Sequence, residues 1–138
     1  MNRQNINILV VDDEESVLAA VCGILRACGY NVKACSKPED ALDYAENNVV
    51  HIALVDFSMP NIDGISFVSM IREISSLTQI IMMCAYATSD RIVAAIENGA
   101  CDFILKPFIN PDAVASVVEV SERKLERLQG VLRELGVL

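Results

Sequence analysis

Two adjacent acids, Asp12 and Asp13, close the apolar run Ile6–Val11, and a third, Asp56, closes Ile52–Val55. A lysine, Lys106, follows Asp102–Leu105 and precedes Pro107, and Cys84 closes Ile80–Cys84. Each run is short and almost wholly apolar, the pattern of a strand buried on both faces. Strands of that kind share a parallel sheet, and such sheets bind ligands beyond their carboxyl ends. Three carboxylates on one edge repel, and one must take up a proton unless a cation joins them. Oxygen donors suit Mg²⁺, which keeps several waters and takes few protein ligands. A divalent cation together with Lys106 matches the three negative charges. One acid alone would be an ordinary solvated strand end; four groups at three strand ends point to a site.

The elements that must carry these side chains alternate along the chain. From Ser16, the residues Val17, Val21, Ile24 and Cys28, with Leu18 and Leu25 alongside, keep the helical period until Gly29 stops it. Asn31–Cys35 reads as a second strand, and Pro38 opens a helix to about Asn47. The segment Phe57–Gly64, with its Pro, Asn, Asp and Gly, reads as a loop before a helix over Ile65–Ile74. Asp90–Asn98 is a further helix closed by Gly99, and Asn110 caps a long last helix that begins at Pro111. Five strands alternating with five helices predict an α/β fold, with a five-stranded parallel sheet covered on both faces.

Composition narrows the function classes. A chain of 138 residues, 53% hydrophobic and 22% charged, fits one globular domain. The net charge of −8 leaves no basic stripe for phosphates, which argues against direct nucleic-acid binding. No apolar run approaches the roughly 18 residues of a membrane span. The polar start of the chain is unlike a signal peptide, so a cytoplasmic protein without membrane contact is expected. The five cysteines form no Cys-x-x-Cys pair and read as reduced thiols packed as small hydrophobes. His51, the one histidine, reads as a satisfied or exposed residue before a strand.

Three stretches carry a family resemblance: Leu9-Val10-Val11-Asp12-Asp13-Glu14; Leu54-Val55-Asp56-Phe57-Ser58-Met59-Pro60-Asn61-Ile62-Asp63-Gly64; and Gly99-Ala100-Cys101-Asp102-Phe103-Ile104-Leu105-Lys106-Pro107-Phe108. Together they resemble the receiver domains of two-component response regulators, over about residues 6–125. The resemblance implies a flavodoxin-like three-layer sandwich of strand order 2-1-3-4-5. It implies Asp56 as phosphoacceptor, with Mg²⁺ held by the side chains of Asp13 and Asp56, the backbone carbonyl of Ser58, and Asp12 through water. Lys106 and the backbone N–H of Ala85 would meet the phosphoryl group, and Lys106–Pro107 would be cis. The implied donor is a sensor histidine kinase or a phosphotransfer protein, or else a small acyl phosphate. The implied role is a switch that controls an output, and not that of an enzyme acting on other substrates.

Two positions depart from the family pattern. Cys84 stands where Ser or Thr is usual, and a thiol is a weak donor; it reads as a buried steric substitute, with a redox-sensitive thiol as the alternative. Phe103 stands where Tyr is common, leaving an aromatic switch without a hydroxyl. Ser58 and Tyr86 offer no group suited to orienting water, so a long-lived phosphoryl group is expected. Along the last helix Val118, Ser121, Leu125, Leu128, Leu132 and Leu135 recur at alternating spacings of three and four, an a/d seam. Residues 126–138 thus read as an extension of the receiver (1–125), serving as linker or dimerisation helix toward an output domain beyond residue 138, or else folded on its own domain. Other readings fit less well: a dehalogenase-like phosphatase lacks its second acid at Ser58, and a flavodoxin-like cofactor binder lacks a phosphate cradle after strand one. A receiver that has lost phosphorylation has only Cys84 in its favour.

Overall fold

The computed structural model describes residues 2–107 and 110–138, so that Phe108, the end of the third motif, lies outside the described residues. Strands β1 (Asn7–Val11), β2 (Asn31–Cys35) and β3 (Ile52–Asp56) alternate with helices α1 (Glu15–Ala27) and α2 (Pro38–Asn47). Two-residue strands β4 (Ser58–Met59) and β5 (Ile62–Asp63) precede α3 (Gly64–Ile74). Then follow β6 (Gln79–Cys84), α4 (Ser89–Glu97), β7 (Asp102–Leu105) and the 24-residue α5 (Pro111–Glu134). The main sheet is parallel throughout, in the order β2-β1-β3-β6-β7. With the short ribbon β4–β5 left out, this is the expected 2-1-3-4-5 order of a flavodoxin-like fold.

Alternate residues of each strand feed two separate cores. Leu9, Val11, Ala53, Val55, Ile80 and Met82 face α2 and α3, while Ile8, Val10, Ile52, Leu54, Ile81 and Met83 face α1 and α5. β3 and β6 are buried along their whole length, which is why their sequences carry no polar alternation. Helix ends follow the expected chemistry. Gly29 adopts φ 98° after α1, and the Asn110 side chain accepts from the Asp112 N–H at 3.0 Å. His51 is satisfied, its Nδ1 accepting from the Asn7 N–H at 2.9 Å, and burial lowers its pKa. Cys22, Cys35 and Cys84 are buried, Cys28 is partly covered and Cys101 is exposed, all as free thiols. No helix among the described residues is long and apolar enough to cross a membrane.

The segment expected as a plain loop, Phe57–Gly64, instead forms an antiparallel ribbon pairing Ser58 with Asp63 and Met59 with Ile62. Its turn is Pro60-Asn61, with Asn61 in the left-handed region at φ 71°, a conformation asparagine tolerates. Strands of two residues are too short to leave an alternation in sequence. Other boundaries shift by a residue, as at β6, which starts at Gln79, and α4, which ends at Glu97.

The last helix divides its apolar seam. Val118 packs in the core against the sheet, and Ser121 and Leu125 are buried as well. Leu128 and Leu132 are half-buried, lining with Val49, Val50 and Leu77 a groove of about 210 Å³. Leu135 is 71% exposed.

Two glycines give opposite expectations. A Cβ on Gly64 would sit 2.5 Å from the Phe57 carbonyl oxygen, whereas one on Gly23, within α1, would meet nothing within 4 Å. Urea unfolding should show Gly64→Ala destabilised by about 1–3 kcal/mol. Gly23→Ala should be stabilised by about 0.5–1 kcal/mol. A Gly64→Ala variant as stable as wild type would contradict the close approach.

Candidate functional site

The carboxyl edge of the sheet gathers the predicted side chains. Asp12 follows β1, its N–H donating to the Cys35 carbonyl at 3.2 Å, and its side chain is fully buried. Its Oδ1 accepts from the Glu14 N–H at 2.9 Å, and its Oδ2 from Lys106 Nζ at 2.6 Å. Asp56 ends β3 and is only 5% exposed. Its Oδ1 accepts from the Ser58 N–H at 3.2 Å and lies 3.3 Å from Lys106 Nζ. Lys106 is placed by its own N–H, which donates to the Cys84 carbonyl at 2.7 Å, and its bond to Pro107 is cis. Asp13 is exposed to solvent, yet one oxygen from each of Asp12, Asp13 and Asp56 lies within 4.8 Å of the others.

Electrostatics at this edge are frustrated by design of the sheet. Burial first, and the charge of Asp12 second, raise the Asp56 carboxyl from its ordinary 3.8 to about 6; a hydrogen bond with Asp13 adds to this. The Ser58 N–H and the Lys106 charge pull the other way without cancelling it. Burial alone would lower the pKa of Lys106, but its hydrogen bond to Asp12 and the charge of Asp56 outweigh burial and raise it. Lys106 is therefore a fixed cation. The acids are all oxygen donors, one of them open to water, and this set fits a hard divalent cation that keeps part of its hydration shell.

The remaining predicted residues surround this cluster. Cys84 ends β6 and is buried. Burial pushes its thiol upward, Asp56 pushes it further, and Lys106 opposes only in part. It therefore stays a thiol at neutral pH, the inert form of cysteine, which disfavours the redox alternative. Ala85 and Tyr86 are exposed in the β6–α4 loop, and Phe103 is half-buried against the first of the two cores. Ser58 is exposed and contributes its N–H to Asp56. Sequence reasoning passed over Arg91, whose Nη2 donates to Asp63 Oδ1 at 2.7 Å and whose guanidinium lies 5.0 Å from the centre of the Phe57 ring. No local spacing signals a pair 28 residues apart.

Residues 8–119 match the family described as the response regulator receiver domain. The chain belongs to that family. This receiver domain is 34% identical over 107 residues to the transcriptional regulatory protein ZraR of Escherichia coli, covering 78% of this chain and 24% of that protein. It is 33% identical over 117 residues to the transcriptional regulatory protein PrrA of Mycobacterium tuberculosis, covering 85% of this chain and 50% of that one. The chain thus spans about a quarter to a half of the length of these curated relatives. Among solved structures, a CheY-like receiver domain protein from Methanospirillum hungatei superposes with a TM-score of 0.80 at 27% identity, over 91% of this chain and 97% of that one.

The raised Asp56 carboxyl sets a pH test. An acid whose folded pKa is raised supports the fold below its unfolded value and withdraws that support as pH climbs through the folded value, here about 6. With divalent cations chelated, Asp56→Asn should be more stable than wild type by about 1–3 kcal/mol near pH 8. The difference should vanish only below about pH 3, where Asp56 is protonated in both states. Thermal melts across that range check it, and a stability difference independent of pH would contradict the assigned electrostatics.

Proposed function

We propose that this receiver domain accepts a phosphoryl group on Asp56 in a Mg²⁺-dependent reaction and thereby switches a signalling output. The observation that carries this reading is the cluster of three carboxylates within 4.8 Å, two of them paired with Lys106. Asp13 and Asp56 would hold Mg²⁺ through their side chains, Ser58 through its carbonyl and Asp12 through water. Bound there, the cation would neutralise charge on the transferring phosphoryl oxygens.

The chain's own residues do the rest. Asp56 attacks phosphorus through a carboxylate oxygen as the bond from phosphorus to the donor's leaving atom breaks, giving an aspartyl phosphate. Attack on phosphorus needs chiefly positioning and charge neutralisation. β3 supplies the first by rigid burial of the Asp56 backbone. Lys106 supplies part of the second, moving from Asp56 Oδ1 to a phosphoryl oxygen, with the Ala85 N–H as a further donor. The donor would be a phosphohistidine on a sensor kinase or phosphotransfer protein, or a small acyl phosphate. The domain acts on itself alone and is no enzyme toward other substrates. Cys84 and Phe103 occupy the switch positions, and the weak thiol donor would soften the pull of the phosphoryl group on the β6–α4 loop. The exposed end of α5 would serve as a linker to an output domain, or pair with a second copy. The free thiols fit a cytoplasmic setting.

Incubation with acetyl phosphate and Mg²⁺, followed by intact mass, tests the reading. Wild type and Cys84→Thr should each gain one phosphoryl group, at similar rates. Asp56→Asn should gain none, and chelator should abolish uptake by wild type. Full labelling of Asp56→Asn would overturn Asp56 as acceptor, and undiminished labelling in chelator would remove the metal.

A further inference from the structure

The geometry points to Arg91 as a latch that couples the Asp56 acceptor ribbon to helix α4, through its ion pair with Asp63 and its stacking on Phe57. The inference rests on the proposed phosphorylation of Asp56, and it adds a route by which that event reaches the helix.

α4 is weakly held by its apolar face. Of its nine residues only Ala95 is buried, while Val93 and Ile96 are 51% and 53% exposed. By contrast α1 buries Leu18, Val21, Cys22 and Leu25. An element with few buried apolar contacts opens locally at low free energy, so single polar fixtures govern its position. The first turn of α4 carries such a fixture. Thr88 caps the helix by accepting from the Arg91 N–H at 3.4 Å, and the Arg91 side chain then reaches across to the ribbon.

Its two contacts on that side are both tied to Asp56. Phe57 is the next residue, buried, its N–H fixed to the Met83 carbonyl at 2.9 Å. Asp63 is the far end of the ribbon, paired with Ser58, whose N–H is bonded to Asp56 Oδ1. Asp63 also caps α3 by accepting from the Ile65 N–H. Asp56 Oδ1 is therefore linked to Arg91 by one hydrogen bond, one two-residue ribbon and one ion pair. Phosphorylating an Asp56 oxygen turns the carboxylate into an acyl phosphate and alters the first of these links directly. The path does not pass through residue 84, where the thiol offers little.

An exposed ion pair and a cation–π contact are each modest. The expected effects are accordingly small factors, measurable because α4 has little else to hold it.

Amide hydrogen exchange in α4 is the measurement, made with and without beryllofluoride and Mg²⁺ on wild type, Arg91→Gln, Asp63→Asn and the double variant. Asn at 63 keeps the cap on α3 while removing the charge. Without beryllofluoride, α4 amides should exchange about twofold to tenfold faster in each single variant. The double variant should be no faster than the quicker single one, and Arg91→Lys should restore part of the protection. With beryllofluoride, wild type should show a change in α4 exchange. The single variants should bind the ligand with unaltered half-saturation yet lose at least half of that change. Unaltered α4 exchange in both single variants, or multiplicative effects in the double, would overturn the latch. A full-sized beryllofluoride response in the variants would overturn the coupling. If wild type binds no beryllofluoride, the proposed acceptor chemistry fails, while exchange without ligand still decides the latch.

Discussion

The mutual repulsion of Asp12, Asp13 and Asp56 is the constraint around which this domain is organised. A parallel sheet sends the carboxyl ends of β1 and β3 to one edge, and the acids that end them cannot avoid one another. Lys106 relieves part of the strain by bonding Asp12 and approaching Asp56, and β6 fixes Lys106 through the Cys84 carbonyl. The relief is incomplete, since Asp56 still titrates near 6. An edge left short of positive charge is an edge poised to take a divalent cation, and the Glu14 and Ser58 N–H groups hold Asp12 and Asp56 in place for it.

Rigidity and mobility are divided accordingly. β1, β3 and β6 are buried on both faces, so Asp12 and Asp56 have fixed backbones. Opposite them lie the exposed β6–α4 loop and α4 itself, which buries one residue. A change at Asp56 meets a rigid wall on the sheet side and a loosely held helix on the other, so the helix is the element able to respond. In the proposed switch the thiol at Cys84 would weaken one connection across that gap, and the ribbon carrying Phe57 and Asp63 would provide another.

Much of this was legible in the sequence because strand burial on both faces writes itself as short apolar runs, and the residue that ends each run is then conspicuous. Asp12, Asp56 and Lys106 were found in this way, and the cap at Asn110 and the stop at Gly29 followed from local backbone chemistry. The β4–β5 ribbon was not, because two-residue strands carry no periodicity. Nor was the Arg91–Asp63 pair, because contacts between residues far apart depend on where loops bring them. The a/d seam of the last helix was visible, but its division was not: Val118, Ser121 and Leu125 serve the domain's own core, and Leu135 alone of the seam stands well clear of it.

Binding of a divalent cation by the acidic edge, through these acids, is what the proposed chemistry requires above all. Thermal unfolding of the unphosphorylated domain, titrated with Mg²⁺ at constant ionic strength, measures this directly, because a ligand that binds only the folded state raises the melting temperature. Wild type should show a saturable rise that is largely lost in Asp13→Asn, an exposed position where the substitution leaves the core untouched. No rise in wild type, or an equal rise in Asp13→Asn, would contradict it.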